Sequence, residues 1–229
     1  MQKLGSRKYI IGIDEVGRGS LAGPVTVAAV ALPIKFRRSG SQPPLRDSKK
    51  LTPLQRERWF EYIKSRPQIF YAVSHVSPGV IDRINVSNAA NQAAFRAFSR
   101  LNTRLDFDES KRAKYMLAGI PTTNLRVYLD SGLKLPCPLS QVSCPTVKTF
   151  IRGDEKFNVI KFASIVAKVT RDKYMVNLHK KIPHYQFDCH KGYGTKKHLR
   201  AIKKHGFCQI HRSTFLKSFV PVKVLRSKI

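Results

Sequence analysis

Two apolar runs rich in β-branched residues, Tyr9–Ile13 and Val25–Leu32, flank a single glycine-rich connection, and Asp14 and Glu15 stand where the first run ends. Short runs of this kind, bounded by Gly and Pro, read as buried strands. The connection from Gly17 to Pro24 holds Gly17, Gly19 and Gly23, which suits a turn that another group must approach closely. A carboxylate at the end of a buried strand is costly unless something pairs with it. The chain offers many cationic partners, with 43 Lys and Arg against 14 Asp and Glu; a divalent cation is the other option.

The resulting net charge of +29 is the outlying feature of a composition whose apolar fraction, 42%, is ordinary. Such a charge raises self-repulsion, and its common physical rationale is a polyanionic partner, here nucleic acid. The excess thickens after Lys148, although a solvated basic face is the alternative for any single run. At 229 residues the chain suits one sizeable core with at most a small appendage. Cys137, Cys144, Cys189 and Cys208 form no CxxC pair, which argues against a zinc ribbon and gives no support to a disulfide framework. The basic N-terminus is followed by an apolar stretch too short for a membrane span and broken by Asp14, so neither a signal peptide nor a membrane anchor is expected. A reducing, cytoplasmic location fits.

Further along, Thr52-Pro53-Leu54-Gln55 opens a helix to about Ser65, with Thr as N-cap, Pro in the first turn and Gln placed for a capping box. Residues 69–76 read as a third strand. A long helix is expected from Ser77-Pro78 to about Leu101, a fourth strand over Leu125–Asp130 and a fifth over Val147–Ile151. A second long helix spans Asn158–Lys180, and a third runs from Thr195 to about Lys204, stopped by Gly206. This order predicts an α/β fold with a mixed central sheet flanked by helices and a helical C-terminal part packed on its side.

Few acids occupy awkward positions. Asp14 and Glu15 end the first strand, Asp130 ends the fourth, and Asp154 and Glu155 precede the second long helix. Carboxyl ends of strands in an α/β sheet converge at one rim, where ligands bind. Carboxylates gathered there repel one another unless cations neutralise them, and oxygen-only ligands suit Mg²⁺ or Mn²⁺. Two such ions can activate a water and stabilise the leaving oxygen of a phosphodiester. Acids at a rim on a basic protein therefore point to metal-dependent phosphodiester hydrolysis. In the alternative reading Asp14 pairs with a Lys and Asp130 caps a turn. The residues alone do not choose between Asp154 and Glu155.

Five ordered motifs give the chain a resemblance to bacterial ribonuclease HII over nearly its whole length. They are GIDEVGRGSLAGP from Gly12, Asp47-Ser48-Lys49-Lys50-Leu51, Leu129-Asp130-Ser131-Gly132, the block of Gly153-Asp154 with Ala163–Asp172, and His190-Lys191-Gly192-Tyr193-Gly194-Thr195 followed by His211-Arg212-Ser213. The resemblance implies a ribonuclease H-like fold. It places the active-site carboxylates, which are also the metal ligands, on Asp14, Glu15, Asp130 and Asp154. It assigns sensing of the ribose 2′-hydroxyl to Gly17, Arg18 and Gly19 with Tyr193, and a phosphate contact to Lys49. The 2′-hydroxyl is what distinguishes RNA from DNA, and backbone bared by glycine can reach a sugar. Asp172 is expected to make an ion pair on its helix. His190, His198 and His211, set among Lys and Arg, are expected at the surface or on phosphates. The chain departs from the family at Ser131, inserted before Gly132, and at Phe162, where a small residue is usual.

The resemblance further implies an endonuclease of the type 2 ribonuclease H class, using Mg²⁺ or Mn²⁺. It would hydrolyse the phosphodiester 5′ to a ribonucleotide in an RNA–DNA hybrid or in duplex DNA, leaving 3′-hydroxyl and 5′-phosphate ends, and so remove misincorporated ribonucleotides and primer remnants. A catalytic part over residues 1–180 and a basic, mainly helical region over 181–229 are expected to form one structural unit, acting as a monomer. Ribonuclease HIII, which carries an extra N-terminal domain, fits less well because the first strand begins near residue 8. Two other readings compete: a nuclease indifferent to the 2′-hydroxyl, and a basic RNA-binding protein without catalysis.

Overall fold

The computed structural model describes residues 9–40, 42–105, 125–135 and 146–217. The apolar runs form β1 (Tyr9–Val16) and β2 (Val25–Pro33), paired antiparallel, and β3 (Phe70–Val76) adds antiparallel to β2. On the other side of β1, β4 (Arg126–Asp130) and β5 (Thr146–Phe150) run parallel to it. The sheet order is β3-β2-β1-β4-β5. It is the mixed sheet expected from the sequence, and its parallel half brings the carboxyl ends of β1, β4 and β5 to one rim.

Alternation along β1 divides the core. Ile11 and Ile13 face helix α2 (Pro78–Leu105), whose Ala89, Ala90, Ala93, Ala94 and Ala97 are fully buried and let it lie low on the sheet. The opposite face is covered by α1 (Pro53–Lys64) and by the long helix after β5. The chain leaves β5 through Arg152 in the left-handed region (φ 54°), makes the short helix α3 (Gly153–Lys156), and enters α4 (Asn158–Lys181). The C-terminal part comprises α5 (Phe187–His190), α6 (Lys196–His205) and α7 (Ser213–Leu216). Its Tyr185, Phe187, Ile202 and Leu216 share a small core with Met175 of α4 and with Leu21 and Ala22 from the β1–β2 connection. Residues 218–229 of the expected C-terminal region, and Cys137 and Cys144, lie outside the described residues.

The expected caps are present. The Thr52 hydroxyl accepts from Gln55 N–H while the Gln55 side chain accepts from Thr52 N–H. The expected single helix after Ser77 is interrupted, however. Asn85 adopts φ 63° and its side chain accepts from Asn88 N–H at 2.9 Å, so it acts as the N-cap of the second segment. Phe162, the bulky departure in α4, is wholly buried among Phe36, Trp59 and Tyr62 with ring centroids 5.6–6.5 Å apart.

Helix α4 crosses β1 at backbone contact. A Cβ on Gly12 would lie 2.5 Å from Val159 C and O and 2.7 Å from Ile160 N. Gly12→Ala is therefore expected to push α4 off the sheet and lower stability by about 1–3 kcal/mol, read as a lower urea midpoint at an unchanged slope.

Candidate active site

Residues at the carboxyl rim of the sheet line a cavity of about 500 Å³ that holds Asp14, Glu15, Asp130 and Asp154 together with Lys49, Ser164, Lys168 and Tyr193. Asp14 and Asp130 follow directly on Ile13 and Leu129, the last paired residues of two neighbouring parallel strands. Alternation turns Asp14 to the α4 face, into the cavity that Ser164 also lines, and Glu15 N–H donates to its Oδ1 at 2.8 Å. Glu15 points the other way, toward Arg18, whose Nη1 donates to Glu15 Oε1 at 3.2 Å. Arg18 also donates to Gly132 O and to Ser87 Oγ. It thereby ties the β1 turn to α2 and to the loop after β4. A Cβ on Gly132 would lie 2.5 Å from Arg18 Nη1.

The insertion of Ser131 does not leave Asp130 loose, because Gly153 N–H donates to Asp130 Oδ1 at 2.7 Å. The left-handed Arg152 followed by α3 turns Asp154 inward, 6% exposed, with its Oδ2 3.7 Å from Lys49 Nζ. Glu155 turns outward toward Lys50. Geometry thus chooses between two adjacent acids that the residues alone left open. The Lys49 loop is itself braced. Asp47 Oδ1 accepts from Lys49 N–H, Arg56 donates to Ser48 O and Leu51 O, and the Ser48 and Ser164 hydroxyls are 2.8 Å apart.

The electrostatics follow from crowding. Burial, then the charges of Glu15 and Asp130, pushes the Asp14 carboxyl well above its ordinary pKa. Burial raises Glu15 although Arg18 opposes the shift, and burial followed by the Asp130 charge raises Asp154. Partial burial works against the Lys49 charge, but Asp154, Asp47, Asp14 and Asp130 outweigh it and hold the ammonium above its usual value. Glu15 Oε2 is buried without a hydrogen-bond partner. An all-oxygen donor set, mutual repulsion and an orphaned carboxylate oxygen are what a hard divalent cation would relieve. Among the described residues no three acidic, histidine or cysteine side chains already close on a single metal-holding point; Glu15, Asp130 and Asp154 instead turn to Arg18, Gly153 N–H and Lys49.

The glycine-rich turn is held by two arginines whose role the sequence did not reveal. Arg171 and Arg212 are fully buried. Arg171 donates to Pro24 O, Ala22 O, Ser20 Oγ and Lys191 O. Arg212 donates to Gly17 O, Arg18 O and Gly23 O. Gly17 is in the left-handed region (φ 86°), and a Cβ there would lie 2.2 Å from Arg171 Nε. Gly19 faces open space. Tyr193 pairs with Ser20 in an isolated bridge, and its ring lies 5.5 Å from Arg171 Cζ and 5.8 Å from Lys168 Nζ. Asp172 makes its expected helical ion pair, with Lys168 at 2.8 Å. A neighbouring groove of about 590 Å³ shares Arg56 and Lys168 with the cavity and adds Lys173 and Lys191, a basic wall suited to a phosphate backbone.

The three histidines are not surface groups. His190, His198 and His211 are buried at 8%, 0% and 4% exposure. They pack on one another and on Phe187 because their elements fold around the C-terminal core. The lysines beside His190 and His198 stay half-buried or exposed while the imidazoles turn inward, and Arg212 beside His211 is itself buried on the glycine-rich turn.

A model of the family described as Ribonuclease HII matches residues 11–218. A ribonuclease HII of Bacillus cereus (strain Q1) is 44% identical over 220 residues, covering 96% of this chain and 72% of the relative. Among solved structures, the ribonuclease H2 of Pyrococcus horikoshii OT3 aligns with a TM-score of 0.65 at 22% identity, covering 96% of this chain and all of that one. Bst ribonuclease HIII, in complex with Mn²⁺, aligns with a TM-score of 0.64 at 17% identity over 96% of this chain and 70% of its own. Both likenesses concern the fold, which is ribonuclease H-like. No helix among the described residues is long and apolar enough to cross a membrane.

Proposed function

Because the chain belongs to the ribonuclease HII family, we propose that it is a divalent-metal-dependent endonuclease that hydrolyses the phosphodiester 5′ to a ribonucleotide in RNA–DNA hybrids and in duplex DNA. The observation that carries this reading is the gathering of four carboxylates in one cavity with Lys49 and Tyr193. Asp14, Glu15, Asp130 and Asp154 would hold Mg²⁺ or Mn²⁺, the ion named with Bst ribonuclease HIII. Such ions supply charge stabilisation for the attacking and leaving oxygens of an in-line displacement.

The chain's own groups do the positioning. Lys49, charged and beside Asp154, meets a non-bridging phosphate oxygen. The Gly17–Gly19 backbone, fixed from behind by Arg171 and Arg212, presents its exposed edge to the ribose 2′-hydroxyl. Gly19, with nothing within 4 Å of its added Cβ, leaves room for that approach. The Tyr193 ring packs on the sugar that follows, where an extra hydroxyl would crowd it. Water adds to phosphorus, the P–O3′ bond breaks, and the departing 3′ oxygen takes a proton, leaving 3′-hydroxyl and 5′-phosphate ends. In this reading the region from residue 181 onward belongs to the same unit as the catalytic part, and the protein acts as a monomer that clears ribonucleotides from DNA. The free thiols of Cys189 and Cys208 suit the reducing cytoplasm, where we place it.

The test is a labelled DNA duplex with one embedded ribonucleotide, beside an all-DNA duplex, with Mg²⁺, Mn²⁺ or EDTA. Cutting only 5′ to the ribonucleotide, and only with a metal, is expected. Equal cutting of both duplexes would replace the reading by a general nuclease, and binding without cutting would replace it by a non-catalytic binder.

A further inference from the structure

The buried histidines form a hydrogen-bond chain with only one consistent arrangement of protons. Cys208 N–H donates to His211 Nδ1 at 3.1 Å, so the His211 proton is on Nε2. That Nε2–H points at His198 Nε2, 3.2 Å away, which must accept. The His198 proton is therefore on Nδ1, where it donates to the Tyr193 carbonyl at 2.9 Å. Thr195 N–H donates to the same carbonyl at 2.8 Å. His190 braces the chain from the side. Its Nδ1 accepts from Gly192 N–H, its Nε2–H donates to Tyr185 O, and its ring stacks on His198 with centroids 4.3 Å apart.

The arrangement requires neutral imidazoles, since a second proton on His198 would face the His211 N–H. Burial pushes His198 down to about 4 and His211 to about 3, which keeps both neutral at neutral pH. The far end of the chain is anchored to the glycine-rich turn, because Ala22 forms an isolated bridge with His211 and Gly192 O accepts from Leu21 N–H and Ala22 N–H.

We infer that His198, with its proton placed by His211, is a positioning residue that sets the Tyr193 backbone and so aims the Tyr193 ring into the carboxylate cavity. This rests on the reading of Tyr193 as the ring that meets the substrate sugar. The role belongs to one ring nitrogen rather than to the bulk of the imidazole, and that makes it separable from packing. The Asn amide nitrogen overlays Nδ1 of His, and the Gln amide nitrogen overlays Nε2. At position 198 Asn keeps the donor to Tyr193 O and Gln loses it. At position 211 the order reverses, because only Gln keeps a donor toward His198.

The experiment measures kcat/KM on the single-ribonucleotide duplex, with thermal melting alongside, for His198→Asn, His198→Gln, His211→Asn and His211→Gln, in the wild-type and Tyr193→Ala backgrounds. His198→Gln is expected to lose about tenfold while His198→Asn stays near wild type, with the smaller gap at 211 in the opposite order. Both gaps should vanish once Tyr193 is Ala. Equal losses for the two amides, losses that track melting temperature alone, or a gap that survives in Tyr193→Ala would overturn the inference and leave the sugar contact standing. If Tyr193→Ala by itself leaves kcat/KM unchanged, the sugar contact fails and the inference falls with it.

Discussion

Asp14→Asn is expected to lower kcat by about 10³-fold or more while raising the melting temperature by about 3–6 °C in the absence of divalent metal. The two effects share one cause. Asp14 is buried beside Glu15 and Asp130, and its burial, followed by the charges of these two neighbours, disfavours its ionised form. A carboxyl whose folded pKa lies above its unfolded value keeps a proton that the unfolded chain has already released. Stability contributed by such a group is complete below the ordinary value of 3.8 and is lost as pH rises through the raised folded pKa. Glu15 and Asp154 are shifted in the same direction, so the folded site is strained at neutral pH by its own charges. The amide keeps the shape and removes the charge. The advantage of Asp14→Asn in melting temperature should therefore shrink toward acid pH. Millimolar Mg²⁺ should stabilise the wild type and narrow the gap to the variant. A variant that melts at or below the wild-type temperature at pH 7.5 without metal, despite an intact fold by circular dichroism, would show that Asp14 is not held under this electrostatic load.

Local chemistry explains which parts of the molecule could be read in advance. β1 and β2 are nearly continuous apolar runs between Gly and Pro boundaries, and the Thr52 capping box and the Gly206 stop are side-chain and backbone rules confined to a few residues. Asp14 and Asp130 stood out because an acid ending an apolar run is costly wherever the run goes. The break at Asn85 was also local, an Asn capping the third N–H ahead, but the apolar spacing continued through it and masked the signal. Choosing Asp154 over Glu155 required a left-handed Arg152 and a one-turn helix, and no pattern of period announces either. Arg171 and Arg212 were the least legible. Charged residues are rarely fully buried, and these two meet carbonyls more than 140 residues away in the chain, so nothing near them in sequence reports their surroundings. The histidines failed for a different reason: their partners, each other and the Tyr185 and Tyr193 carbonyls, lie within 13 residues in sequence, but only the folded C-terminal core turns them toward one another rather than toward solvent.

Arg212→Met is expected to cost about 3–5 kcal/mol, a fifth or more of the roughly 5–15 kcal/mol that holds a domain folded. The guanidinium makes four hydrogen bonds of 2.7–3.0 Å to three carbonyls, Gly17 O, Arg18 O and Gly23 O. Burial and the nearby Arg171 charge push it down to about 9, so it remains charged at neutral pH and those carbonyl dipoles compensate the charge. Met fills the volume but takes the donor away from Arg18 O and Gly23 O and leaves Gly17 O with only the Ser20 N–H at 3.4 Å, and each buried carbonyl left unpaired costs about 1–3 kcal/mol. Arg212→Lys should fall between, because a single ammonium carries the charge but cannot span the fork. Urea unfolding gives the ordering directly: wild type, then Lys, then Met, with a Met variant within about 0.5 kcal/mol of wild type counting against the account. Hydrogen exchange locates the damage. Protection should be lost first at Ser20 to Gly23, whose N–H groups pair with Gly17 O, Gly192 O and Ile210 O, while the α2 face of the sheet stays protected. The functional consequence is specific. Asp14 and Asp130 sit on strands that Arg212 does not touch, whereas Gly17 and Arg18 hang from it. The Lys variant, folded but with a slackened turn, should therefore lose discrimination for the ribonucleotide before it loses metal-dependent cleavage. Equal loss of both would mean that the turn and the carboxylates are held as one piece.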